Sequence, residues 1–155
     1  DLELLASIFE RLYESDLSDT YYCSGGGVRY ERLKNFGAIL SMKVYSSNSN
    51  HGFYTLKTQG LSNLSKKERD EKVEAMYPDF EQSFKENIIN YGRTIKSLDP
   101  NEKLMFKVKL TECTDCEMPT AIDLSVDVSV LMDFDKGKIS SDAAVAKISV
   151  KKYNN

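Results

Sequence analysis

From residue 122 to residue 130 the chain alternates without a fault. Ile122, Leu124, Val126, Val128 and Val130 are aliphatic, and Asp123, Ser125, Asp127 and Ser129 between them are small and polar. Successive side chains on a strand point to opposite faces, so this pattern predicts a strand with one face buried and the other in water, the usual habit of an antiparallel sheet. Two further segments follow suit. Ala38, Leu40, Met42 and Val44 share one face against Ser41 and Lys43, and Phe106, Val108 and Leu110 face inward against Lys107 and Lys109.

What covers such a sheet is legible in the helical periodicity. Phe80, Phe84, Ile88, Tyr91 and Ile95 recur at spacings of four, four, three and four, one continuous stripe suited to lie across a sheet. Leu2, Leu5, Ile8, Phe9, Leu12 and Tyr13 predict a second amphipathic helix over residues 1–16, with Asp1 as N-cap. Ser65-x-x-Glu68 fits a capping box, and Pro78 predicts a kink or break further along. Ser140 or Ser141 can cap a short last helix with Ala144, Val145 and Ile148, leaving residues 151–155 as a frayed tail.

Punctuation separates these pieces. Gly25-Gly26-Gly27 breaks the first helix from residues 28–33, and Lys34-Asn35-Phe36-Gly37 turns the chain into a hairpin. Residues 46–52 read as a polar loop, residues 53–57 as a short edge strand, and Asp99-Pro100-Asn101 and Gly137 as turns. The expected fold class is α+β: an antiparallel sheet of about four strands (two hairpins) with helices packed on one face, in the order α-ββ-α-ββ-α. With 155 residues it forms a single domain over residues 1–155.

Composition narrows the partners. The chain is 41% hydrophobic and 29% charged, an ordinary globular balance, and its 21 basic against 24 acidic residues leave a formal charge of −3. No net positive field attracts nucleic acid, so none is expected as a partner. No apolar run approaches the ~20 residues of a membrane helix, so no membrane span is expected either.

The most specific chemistry is Cys113-Thr114-Asp115-Cys116, placed between two predicted strands. Such a pair can close a disulfide, shuttle electrons or supply half a zinc site. A full zinc set would use Cys113, Cys116, Cys23 and His51, which are all the cysteines and the one histidine of the chain. Catalytic redox is disfavoured, because no helix N-terminus follows and Asp115 and Glu117 oppose thiolate formation. A disulfide that stiffens the loop is the favoured state of Cys113 and Cys116.

Other motifs carry less. Cys23 and His51 lack the flanks of a nucleophile–base pair. Gly25-Gly26-Gly27 is followed by Val28-Arg29-Tyr30 rather than by the Lys-Ser/Thr and helix of a phosphate loop. In Asp133-Phe134-Asp135-Lys136-Gly137-Lys138-Ile139 the acids miss the calcium-loop positions. The run from Lys66 to Lys72 mixes signs at helical spacing and reads as a solvated surface. Tyr21-Tyr22 beside Cys23 either forms a partner contact or caps the end of the sheet.

The opening Asp1-Leu2-Glu3 with Leu12-Tyr13, the hairpin Val28-Arg29-Tyr30 with Asn35-Phe36-Gly37-Ala38-Ile39-Leu40, and the ending Leu131 to Ile139 resemble uncharacterised exported bacterial proteins. The resemblance implies a periplasmic or secreted location and supplies no activity or catalytic residues. The chain departs from that pattern at Lys34-Asn35, where a turn with glycine is more usual.

These readings converge on a non-catalytic exported binding or assembly domain without a cofactor. Its partner would be a protein or a cell-envelope component. The alternative is a zinc- or thiol-dependent protein using the pair Cys113 and Cys116.

Overall fold

The computed structural model describes residues 1–14, 22–46, 65–111, 113 and 115–154. Within them the chain forms helix α1 (Leu2–Leu12), strands β1 (Tyr22–Ser24), β2 (Arg29–Leu33) and β3 (Gly37–Ser46), and helix α2 (Lys66–Gly92). Strands β4 (Lys103–Leu110) and β5 (Ala121–Asp127), helices α3 (Val128–Asp135) and α4 (Ser141–Ala146), and strand β6 (Ser149–Tyr153) follow. The fold is α+β, with six strands in one sheet and four helices among the described residues. The expected polar loop from Ser47 onward and edge strand at 53–57 lie outside those residues.

The sheet runs β1-β3-β4-β5-β6, with β2 also on β3. Tyr22 to Ser24 oppose Ser46 to Val44, and Arg29 to Leu33 oppose Ser41 to Gly37. β1 and β2 therefore form one interrupted edge strand along β3, and the three glycines are the interruption. Gly25 still donates its N–H to the Lys43 carbonyl at 2.9 Å, and the Tyr45 ring occupies the space where a Gly25 side chain would stand. Both expected hairpins are present, β2–β3 and β4–β5.

Several expectations are corrected. The sheet has six strands rather than about four, and the described elements run α-βββ-α-ββ-αα-β rather than α-ββ-α-ββ-α. The sheet is not wholly antiparallel, because β3 and β4 pair in parallel, Gly37 with Lys103 through Val44 with Leu110. Parallel neighbours need a crossover, and α2 supplies it. The strand expected over residues 122–130 ends at Asp127, where the chain turns into α3. There the N–H groups of Val128 and Ser129 go to the carbonyls of Glu102 and Pro100 rather than to a strand. The tail is not frayed. Residues 149–153 form β6, held by Lys152 on Glu81 at 3.1 Å and by the Tyr153 hydroxyl on Asp123 at 2.8 Å.

Pro78 does not break α2, which runs unbroken from Lys66 to Gly92. Proline has no N–H to give the carbonyl four residues back. The carbonyl beside that gap, on Val73, accepts the Tyr22 hydroxyl at 2.8 Å. The capping box forms as expected, with Ser65 and Glu68 exchanging hydrogen bonds at 3.2 Å, and Ser140 caps α4 through the Ala143 N–H. Asp1 stands at the N-cap of α1 without capping it. Its carboxylate instead accepts from the N–H groups of Lys96 and Ser97, at 2.8 and 3.0 Å, and from the Ser97 hydroxyl.

The core lies between the helices and one sheet face. Phe9 from α1, Phe80 and Phe84 from α2, Tyr22 from β1 and Phe106 from β4 are all buried. Their rings meet at 4.4 Å for Phe9–Phe106 and Tyr22–Phe80 and 5.3 Å for Phe9–Phe84. With no tryptophan in the chain, these phenylalanines and tyrosines supply the large apolar areas that dominate a core of this size. Among the described residues no helix lies on the other face of the sheet.

Candidate functional site

Two places in the fold gather chemistry. The first is the open sheet face. Parallel pairing sets Lys43 beside Lys109 and Ser41 beside Lys107, and antiparallel pairing sets Arg29 beside Ser41 and Asp123 beside Lys107. These side chains share the uncovered face, because their neighbours Met42, Val108 and Ile122 are buried beneath the helices. Gly25 to Arg29, with Lys43, Lys107, Lys109 and Asp123, line an open concavity of about 800 Å³.

Cations outnumber acids there. Arg29, Lys43, Lys107 and Lys109 are exposed, and none forms an ion pair among the described residues. Asp123, opposite Lys107, accepts the Tyr153 hydroxyl, Glu31 stands two residues along β2 from Arg29, and Asp127 pairs with Lys103 at 2.8 Å. In a chain of net charge −3, this is a local excess of positive charge.

The second place is the loop between β4 and β5. It brings Cys113 and Cys116 together with their sulfurs at disulfide distance and their Cα atoms 5.3 Å apart. The loop docks on the N-terminal half of α2. The Glu117 N–H donates to the Glu74 carboxylate at 3.0 Å, and Cys116 Sγ lies 3.8 Å from the Asp70 carbonyl oxygen. Met118 and Pro119 anchor the loop by burial.

Asp70 faces this corner. It is 5% exposed, and a carboxylate oxygen and the two sulfurs lie within 4.8 Å of one another. Its Oδ2 accepts from Lys66 Nζ at 3.0 Å, while Oδ1 is buried with no hydrogen-bond partner. Sequence reasoning placed Asp70 on a solvated surface. The signal that finds it is the apolar stripe itself, because Asp70 precedes Val73, Tyr77, Phe80, Phe84 and Ile88 at spacings of three and four.

Of the remaining expected site residues, the described ones do not join either place. Cys23 is buried on β1 and is outside the cluster of Asp70, Cys113 and Cys116. His51 and Tyr21 lie outside the described residues. Tyr22 is buried: its ring stacks on Phe80 and its hydroxyl donates to the Val73 carbonyl, and burial holds its phenol well above the ordinary tyrosine range. It closes the end of the core.

Comparison with protein-family models, curated proteins and solved structures finds none that matches this chain, so no activity, ligand or partner is carried over from a relative. Among the described residues no helix is long and apolar enough to cross a membrane.

Proposed function

We propose that this protein is a non-catalytic binding domain, exported to the cell envelope or beyond, whose open sheet face takes an acidic segment of a partner protein. The observation that carries this reading is the concavity with Arg29, Lys43, Lys107 and Lys109 at its surface and no carboxylate paired to any of them among the described residues. Its size falls in the range of ligand sites, roughly 300–1,000 Å³. Lysines on adjacent strands, about 4.8 Å apart, suit a row of carboxylates. A protein segment is favoured over nucleic acid because the chain as a whole is negative and repels a long polyanion beyond the patch. A pair of cysteines at disulfide distance accords with an oxidising compartment and hence with export.

The test is fluorescence anisotropy with a labelled glutamate-rich peptide at low and at physiological salt. The expected result is binding that weakens with salt and falls by about tenfold or more in the Lys43→Glu/Lys107→Glu/Lys109→Glu variant. Binding indifferent to these lysines, or tighter binding of a single-stranded oligonucleotide than of the peptide, would sink the reading.

A second reading, a thiol- or zinc-dependent protein built on Cys113 and Cys116, is favoured by one observation: the buried Asp70 carboxylate beside the two sulfurs.

A further inference from the structure

We propose that Asp70, Cys113 and Cys116 form a redox-gated metal centre, which binds one divalent cation of the zinc class when the cysteine pair is reduced and loses it when the disulfide closes. The proposal rests on the thiol- or zinc-dependent reading and adds a third ligand and a condition.

The geometry supports it first. Three ligand-bearing groups from two elements converge within 4.8 Å of one another, and a tetrahedral ion with metal–sulfur bonds of about 2.3 Å and metal–oxygen bonds of about 2.0 Å spans such separations. Two thiolates and a carboxylate are a donor set suited to zinc rather than to calcium or magnesium.

The second support is independent of spacing. A buried carboxylate oxygen with no partner is costly, and Asp70 Oδ1 is such an atom. A cation between it and the sulfurs would satisfy it. Charge supports it as well. Two thiolates and Asp70 bring three negative charges against a dication and the Lys66 ammonium, which is 3.0 Å from Asp70 Oδ2 and 4.0 Å from the exposed Asp115. Both cysteines are half-buried and Asp115 between them is exposed, so an ion reaches the corner from solvent.

The chemistry balances. A phosphine attacks the disulfide, takes up oxygen from water as the phosphine oxide, and leaves two thiols. The cation then displaces one proton from each thiol and adds the Asp70 carboxylate. The reverse needs a disulfide oxidant, which accepts two electrons from the thiolates and two protons from water and is itself cleaved to two thiols while the cation departs.

The experiment uses the whole chain, reduced with a phosphine, freed of it without oxygen, and titrated with cobalt(II) and then zinc(II). The expected result is one equivalent of cobalt bound with thiolate-to-metal charge-transfer absorption, its displacement by zinc, and no uptake by the oxidised protein. Asp70→Asn should weaken binding by about tenfold or more, and Cys113→Ser/Cys116→Ser should abolish it. X-ray absorption of the zinc-loaded wild type, which does not depend on any variant folding, should show two sulfur and at least one oxygen neighbour. Unchanged affinity in Asp70→Asn, or a shell without oxygen, overturns the proposal and leaves cysteine-dependent metal binding standing. No uptake by the reduced wild type overturns that zinc reading as well.

Discussion

The two faces of the sheet are written in the same strands and obey different rules. On β4, Phe106 is fully buried against Phe9 and Phe84, while its neighbour Lys107 stands in solvent facing Asp123. The covered face is filled by rings and aliphatics whose positions are dictated by close packing. The open face carries cations whose proximity is mildly repulsive and is tolerated because water screens it. Stability and recognition are thus separated by one residue along the chain. What the fold requires lies under the helices, and what the fold permits lies on the other side.

The contrast is broken most severely from beneath. Phe106→Ala should cost about 3–5 kcal/mol by urea denaturation, whereas Lys107→Ala should move the midpoint by less than about 0.5 kcal/mol. Equal costs would mean that the open face is covered in solution. Next in size is Gly37→Ala at the sheet's parallel seam. Gly37 has φ 137°, and a side chain there would collide with the Lys103 backbone, so a loss of about 3 kcal/mol is expected.

Acid should act on the covered side through Glu81. Burial alone would raise its carboxyl, but hydrogen bonds from Tyr77, Lys85 and Lys152 outweigh it and hold Glu81 below the usual carboxylate range. A depressed carboxyl gives stability that is fully present above its unfolded value and lost as pH falls through its folded one. Urea midpoints should therefore drop on acidification below about pH 4.3, and less steeply in Glu81→Gln. A Glu81→Gln variant with the same acid limb would assign that loss to other carboxylates.

The smallest effect sharpens the contrast from above. Lys43 and Lys109 oppose each other across the parallel pair, so Lys43→Gln should raise stability by about 0.2–0.5 kcal/mol at low salt while weakening binding of the acidic peptide. A destabilised Lys43→Gln would show that the lysine stem packs on the face beneath it.

Much of the covered face was legible in the sequence because burial leaves a period. Leu40, Phe106 and Leu124 announced their strands, and Phe80, Phe84 and Ile88 their helix. The alternation of 122–130 misled past Asp127 because Val128 and Leu131, both buried, also fit a helical turn, and hydrogen bonds to Pro100 and Glu102 chose the helix. β6 went unread since only Val150 among its five residues packs against the core. Its partners are Glu81 and Asp123, far away in sequence. Of the candidate sites, Cys113 and Cys116 were visible as a motif. Asp70 was hidden by the charged residues around it, and the lysine cluster by a parallel pairing that no local pattern encodes.

That pairing also sets the order of events during synthesis. When β3 leaves the ribosome, β1 and β2 can already lie along one of its edges, since their register with it is local. The other edge belongs to β4, and β4 is made only after the whole of α2. Until then the inner strand of the finished sheet is an outer one, with its N–H and C=O groups unclaimed and its apolar face waiting for Phe84 and Ile88. Joining strands so distant along the chain is slow, and an unpaired strand edge invites other chains. The nascent protein is therefore most exposed to aggregation just as α2 emerges, when its longest strand has one edge unpaired and its apolar face still waiting for α2.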